Sequence, residues 1–183
     1  MLSVFRRLYL KLNAYKKQRY LNNLIKNGLK IGKNVRIIDQ FFFDPSHCFL
    51  ISIGDGCTIC PNVRLIAHDA STFQFLGYTK LGRIEIGKNC FIGDSAIILP
   101  NVKIGDDCII GAGSIVTRDI PSNSVAARNP ARVICDLESY LKRIHELQSR
   151  KKVFDEQYFI HNLDPEKRQE VIKSVGDSIG FIV

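Results

Sequence analysis

Every sixth residue from Ile86 to Val116 is aliphatic. Ile86, Ile92, Ile98, Ile104, Ile110 and Val116 share one position of the stretch IGKNCFIGDSAIILPNVKIGDDCIIGAGSIVTRDIP, residues 86–121. Four positions after each come Cys90, Ala96, Val102, Cys108, Ser114 and Ile120, mostly small, with polar pairs such as Lys88-Asn89 and Asp106-Asp107 between them. A helix would repeat its apolar residues at three and four, so a period of six excludes one. One large and one small inward position per hexad describes a flat face and a tight corner, and three of these close a triangular coil of about eighteen residues. The stretch therefore specifies a parallel β-helix. The Gly that often follows the aliphatic residue is expected to bend the chain there through a positive φ, and the Asn, Asp and Gly pairs to complete each turn.

The same register runs upstream, with two interruptions. It holds at Ile31, Ile37 and Phe43, fails at FFFDPSHC (41–48), resumes at Ile53, Ile59 and Leu65, and fails again over DASTFQFLGYTKLGR (69–83). The first failure reads as a bulged corner or short loop. The second must leave the coil as an excursion, and loops mounted on a rigid repeat are where sites are built. His68 stands at its base, and His47 lies in the first interruption.

Three segments follow from this pattern. Residues 1–28 read as an amphipathic helical segment of one or two helices, with Val4, Phe5, Leu8, Leu12, Tyr15, Tyr20 and Leu24 apolar and Arg6, Arg7, Lys11, Lys16, Lys17 and Arg19 opposite, stopped by Gly28. Packing on the coil, packing on a neighbouring subunit and lying at a membrane interface all suit such a helix. It is too interrupted by charge to span a bilayer. Residues 29–135 form the β-helix. Residues 136–183 form a helical extension: one helix over 136–158, a second from Pro165 behind Asp164, and a tail, GDSIGFIV, either disordered or paired with another subunit.

The net charge of +8 sits largely outside the regular coils, at residues 6–36 and 142–152. That fits a peripheral role near an anionic surface, and no recognition module accompanies it, so nucleic acid is not expected as a partner. Of the six cysteines, Cys57, Cys90 and Cys108 occupy the small inward position, where a thiol packs as a compact apolar group in a reducing, cytoplasmic setting. Cys57 and Cys60 are formally C-x-x-C, but they have neither a second pair nor a His at zinc spacing.

The run from Ile86 to Pro121 followed by NPARVI resembles the hexapeptide-repeat acyltransferases, over roughly residues 30–135, and within them the sugar and polysaccharide O-acetyltransferases. The resemblance implies a mainly β fold, a left-handed parallel β-helix with N-terminal and C-terminal α-helical segments; a left hand runs against the usual crossover rule and comes from the resemblance alone. It also implies acetyl-CoA as donor, a saccharide acceptor, a homotrimer with sites between subunits, and no metal. The family's catalytic histidine matches His68. Small groove residues along the pantetheine arm match Ala112 and Thr117, and a basic residue near the nucleotide matches Arg132, with Arg118 adjacent. Arg128 stands where the family commonly has Gly, and it either narrows the groove or meets a phosphate.

Acetyl transfer from a thioester to a hydroxyl needs a base at neutral pH, which an imidazole supplies, and a donor for the oxyanion, such as a backbone N–H. Asp69, Asp39 and Asp44 compete as the carboxylate that orients the imidazole or holds the acceptor. Amino-sugar N-acetyltransferase and xenobiotic acetyltransferase chemistry would use the same residues. A β-helical carbonic anhydrase would need more histidines than the coils contain, and a scaffold that has lost its chemistry would not need His68.

Overall fold

The computed structural model describes residues 2–183, with the side chains of residues 8, 9 and 11–183. The chain divides into two compact units, 1–137 and 138–183.

In the first unit the hexads become short strands stacked on three faces. The first face carries Lys30–Ile31, Ile51–Ile53, Ile84–Ile86 and Val102–Ile104. The second carries Arg36–Ile37, Thr58–Ile59, Phe91–Ile92, Ile109–Ile110 and Ser124–Ala127, and the third Phe42–Phe43, Arg64–Leu65, Ile97–Ile98 and Ile115–Val116. All these neighbours pair in parallel. Arg132–Asp136 closes the second face by pairing antiparallel with Ser124–Ala127.

The aliphatic positions point inward: Ile59, Leu65, Ile92, Ile98, Ile110 and Val116 are fully buried. Each such side chain contributes roughly 1.5–3 kcal/mol by leaving water. Cys57, Cys90 and Cys108 line the first corner, and their thiols donate to the carbonyls of Gly87, Gly105 and Pro121 at 3.0, 3.1 and 3.1 Å. Cys60 lies across the Thr58–Ile59 strand from Cys57, at the second corner.

Two expectations change. The glycine after the aliphatic residue does not carry the positive φ; Asn34, Gly56, Asn89 and Asp107 carry it two or three residues later. Glycine is required for close stacking instead, since a Cβ on Gly54 would lie 2.6 Å from the Gly87 carbonyl oxygen. Ile120 does not take the small position either. It bridges Ile104 on the first face, because the last turn is two residues short.

Helix α1 (Leu2–Lys26) closes the start of the coil through its C-terminal part. Leu24 is buried in the common core with Leu29, Tyr20 packs on Phe41 at 5.4 Å, and Lys17 Nζ donates to the Ile37 carbonyl at 2.9 Å. Its apolar residues follow no single stripe, unlike the amphipathic face expected, and Leu8, Tyr9, Leu12 and Tyr15 are exposed. The side chains of Val4, Phe5, Arg6 and Arg7 lie outside the described ones. No helix among the described residues is long and apolar enough to cross a membrane.

The second unit departs from a plain helical extension. Following the short helix α2 (Phe73–Leu76) of the excursion in the first unit, α3 (Leu137–Gln148) ends at 148 rather than 158, and residues 153–158 form a strand and a 3-10 turn. The tail is ordered within its own chain: Phe181–Ile182 pairs in parallel with Val153–Phe154. Helix α4 (Pro165–Val175) starts as expected, with Asp164 accepting from the Lys167 N–H.

Candidate active site

The two interruptions share a corner. From second to third face the spacing of inward residues stays at six in every coil, as in Ile37 to Phe43, Ile59 to Leu65 and Ile92 to Ile98. From third face back to first, the chain takes eight positions from Phe43 to Ile51 and nineteen from Leu65 to Ile84, against four from Ile98 to Val102. The extra residues of the first and second coils therefore project one above the other.

The first insertion turns at Asp44, whose carboxylate is fully buried. Its Oδ1 accepts from the N–H groups of Ser46 and His47 at 3.2 Å each, and its Oδ2 from the Ala67 N–H at 3.1 Å. The second insertion is a hairpin in which His68–Asp69 pairs antiparallel with Lys80–Leu81. His68 Nδ1 lies 2.5 Å from Asp44 Oδ2. A carboxylate only accepts, so Nδ1 carries the ring proton and Nε2 the lone pair. Burial alone would raise the Asp44 pKa, but the hydrogen bond and charge of His68 and the His47 and Ser46 N–H groups outweigh it and hold the carboxyl below its ordinary range.

The other candidates fall elsewhere. Asp69 is an immediate neighbour of His68 but forms an ion pair with Lys80 at 2.6 Å and accepts from the Ser71 N–H at 2.8 Å. Lys80 and Ser71 hold its carboxyl well below the usual range. Asp39 is exposed at the second corner of the first coil, in a left-handed conformation at φ 54°. Ala112 is exposed at that corner too, in the fourth coil, whereas Thr117 and Arg118 lie at the third corner, the one that carries His68. Arg132 begins the closing strand and donates to the Ala131 carbonyl at 2.8 Å. Arg128 adopts φ 92°, a conformation that favours glycine. His47 sits beside the pair, its ring 4.8 Å from that of His68.

The family described as bacterial transferase hexapeptide (six repeats) matches residues 83–118. Protein CapG of Staphylococcus aureus is 40% identical over 147 residues, 77% of this chain and 84% of CapG. The chain belongs to the hexapeptide-repeat acyltransferase family. Acetyltransferases also supply structural neighbours. A maltose O-acetyltransferase from Clostridium difficile 630 superposes with a TM-score of 0.53 at 26% identity, covering 71% of this chain and 88% of its own. A galactoside acetyltransferase in complex with coenzyme A does so with a TM-score of 0.55 at 27% identity, covering 70% and 84%. The coil is thus the left-handed β-helix of that family. The chain spans 47–65% of the length of other curated relatives it matches.

Proposed function

We propose that the protein transfers an acetyl group from acetyl-CoA to a saccharide hydroxyl, with His68 as general base and Asp44 as the residue that positions it. The carrying observation is the His68–Asp44 contact at the corner where both insertions project. With its proton held on Nδ1, His68 presents Nε2 as the acceptor. It takes the proton of the attacking hydroxyl as the C–O bond forms and returns it to the departing thiolate as the C–S bond breaks. Asp44 fixes the tautomer and stabilises the imidazolium formed between those steps. No enzyme nucleophile is required.

The galactoside acetyltransferase solved with coenzyme A supports the donor, and its name and that of the maltose enzyme support a saccharide acceptor. Ala112, Thr117, Arg118 and Arg132 are the groove residues of this reading, and a homotrimer supplies the opposite wall from a neighbouring chain. Service to a cell-surface polysaccharide agrees with the exposed apolar and basic residues of α1, such as Leu8, Tyr9, Leu12 and Lys11, which suit contact with an anionic membrane. Flotation with anionic vesicles tests that contact, and sedimentation the trimer.

Calorimetric titration with acetyl-CoA, followed by thiol release on adding maltose or galactosides, tests the reaction. One saturable site per chain with acceptor-dependent release is the expected result. Absence of binding at millimolar donor sinks the proposal and leaves a scaffold.

A further inference from the structure

We propose that Asp44, His47 and His68 form a zinc-binding site whose occupation silences the enzyme by taking the nitrogen behind the catalytic base. One ligand atom from each residue can be chosen so that all three lie within 4.8 Å of one another. A carboxylate and two imidazoles are ligands that zinc accepts, and a fourth position remains for water.

His47 is the residue that the transfer reaction leaves unexplained. Its Nδ1 is buried without a hydrogen-bond partner, 3.7 Å from Asp44 Oδ1, too far for a hydrogen bond. A buried polar atom left unpaired costs roughly 1–3 kcal/mol, and coordination would satisfy it. Ligand atoms on tetrahedral zinc, with bonds of about 2.1 Å, stand about 3.4 Å apart. His47 Nδ1 stands 3.7 Å from Asp44 Oδ1, within a small shift of that spacing. His68 Nδ1 faces the other oxygen, Oδ2, at 2.5 Å and must draw back by slightly under about 1 Å for the metal to take the place of the shared proton, so each carboxylate oxygen faces one ring and the ion is held along the carboxylate edge. Asp44 is inaccessible, while the His47 and His68 side chains are 25% and 35% exposed, so an ion reaches the carboxylate past the two rings.

The consequence is a matter of proton placement. Neutral His68 has one ring proton, on Nδ1. Zinc at Nδ1 moves that proton through water to Nε2, with none gained or lost by the ring. Nε2 becomes a donor and can no longer accept from a hydroxyl, although the metal never touches the acceptor. This effect on catalysis rests on His68 being the base; the binding of zinc does not.

The test uses full-length protein stripped by chelator and dialysed against micromolar zinc chloride, with His47→Phe as the variant, since it keeps a ring against His68 and removes the ligand nitrogen. Wild type is expected to bind one zinc per chain and His47→Phe at least roughly tenfold more weakly, and cobalt is expected to give tetrahedral absorption in wild type alone. Acetyl transfer by wild type falls with zinc and recovers with EDTA, whereas His47→Phe stays active in zinc. Equal zinc uptake by both proteins, or none by wild type at 100 micromolar (at least about a thousandfold weaker than structural zinc sites), overturns the site. Uptake without loss of transfer overturns the switch. Uptake by a protein with no transfer to lose indicts the proposed activity and leaves the site standing.

Discussion

The coil from Ile84 to Val116 and the coils from Lys30 to Asp69 use the same hexad, the same buried aliphatics and the same parallel stacking. They differ at one corner. Where that corner takes four positions, from Ile98 to Val102, nothing leaves the prism; where it takes eight and nineteen, Asp44 and His68 emerge and meet. The other two corners keep their length throughout, so the parallel ladders survive both insertions. A repeat fold can thus gain a site without disturbing its core, provided the added residues all enter at one edge.

The sharpest way to break this division of labour is His68→Ala. It should lower kcat by about 10²–10⁴-fold, measured by thiol release, with a modest fall in the calorimetric midpoint from the partner lost to the buried Asp44 carboxylate. A midpoint fall as large as that of a core truncation would make His68 part of the scaffold. Ile98→Ala asks the converse, because Ile98 is fully buried in the regular part. Its truncation should cost about 2–5 kcal/mol in urea unfolding while kcat per folded molecule holds.

Asp44 contributes to the stability of the fold and, in the proposed reaction, to the site, and pH separates the two. Its folded pKa is depressed, so its contribution is fully present above the unfolded value and is lost as pH falls through the folded one. Wild type should therefore lose stability from about pH 5 downward, and Asp44→Asn should show a shallower acid decline together with lowered kcat. Identical acid profiles would remove Asp44 from the account of stability.

Arg128→Gly should raise stability by up to about 1 kcal/mol, by relieving a side chain at φ 92°. The accompanying change in acetyl-CoA affinity, read by calorimetry, tells whether the guanidinium narrows the groove or meets a phosphate. The smallest effect is expected from Asp69→Asn. This carboxylate pairs with Lys80 in solvent, where ion pairs contribute little, and kcat should stay within about twofold. A large fall would bring Asp69 into the proposed mechanism.

Much of this was legible before any coordinates. The period of six gives the coil, its lapses locate both insertions, and His68 marks the second. Which carboxylate contacts His68 was not legible, since Asp39, Asp44 and Asp69 all lie near His68 or in the preceding coil. The choice depends on which corner of the first coil stacks over His68, and Phe43 pairing with Leu65 settles it: Asp44 follows Phe43 as Ile66 follows Leu65, while Asp39 lies a corner away. Ile120 was misplaced because the pattern assumes six residues per hexad and the last turn drops two. The C-terminal tail was unreadable because its partner strand, Val153–Phe154, lies nearly thirty residues away and is only two residues long.

The prism follows from the hexad alone, because burying one aliphatic and one small side chain per six residues leaves a repeating chain little else to fold into. What the prism carries is fixed by contacts between coils. Contact between Asp44 and His68 joins residues 24 positions apart on adjacent coils, and it is set by stacking register and corner length, which no local propensity encodes.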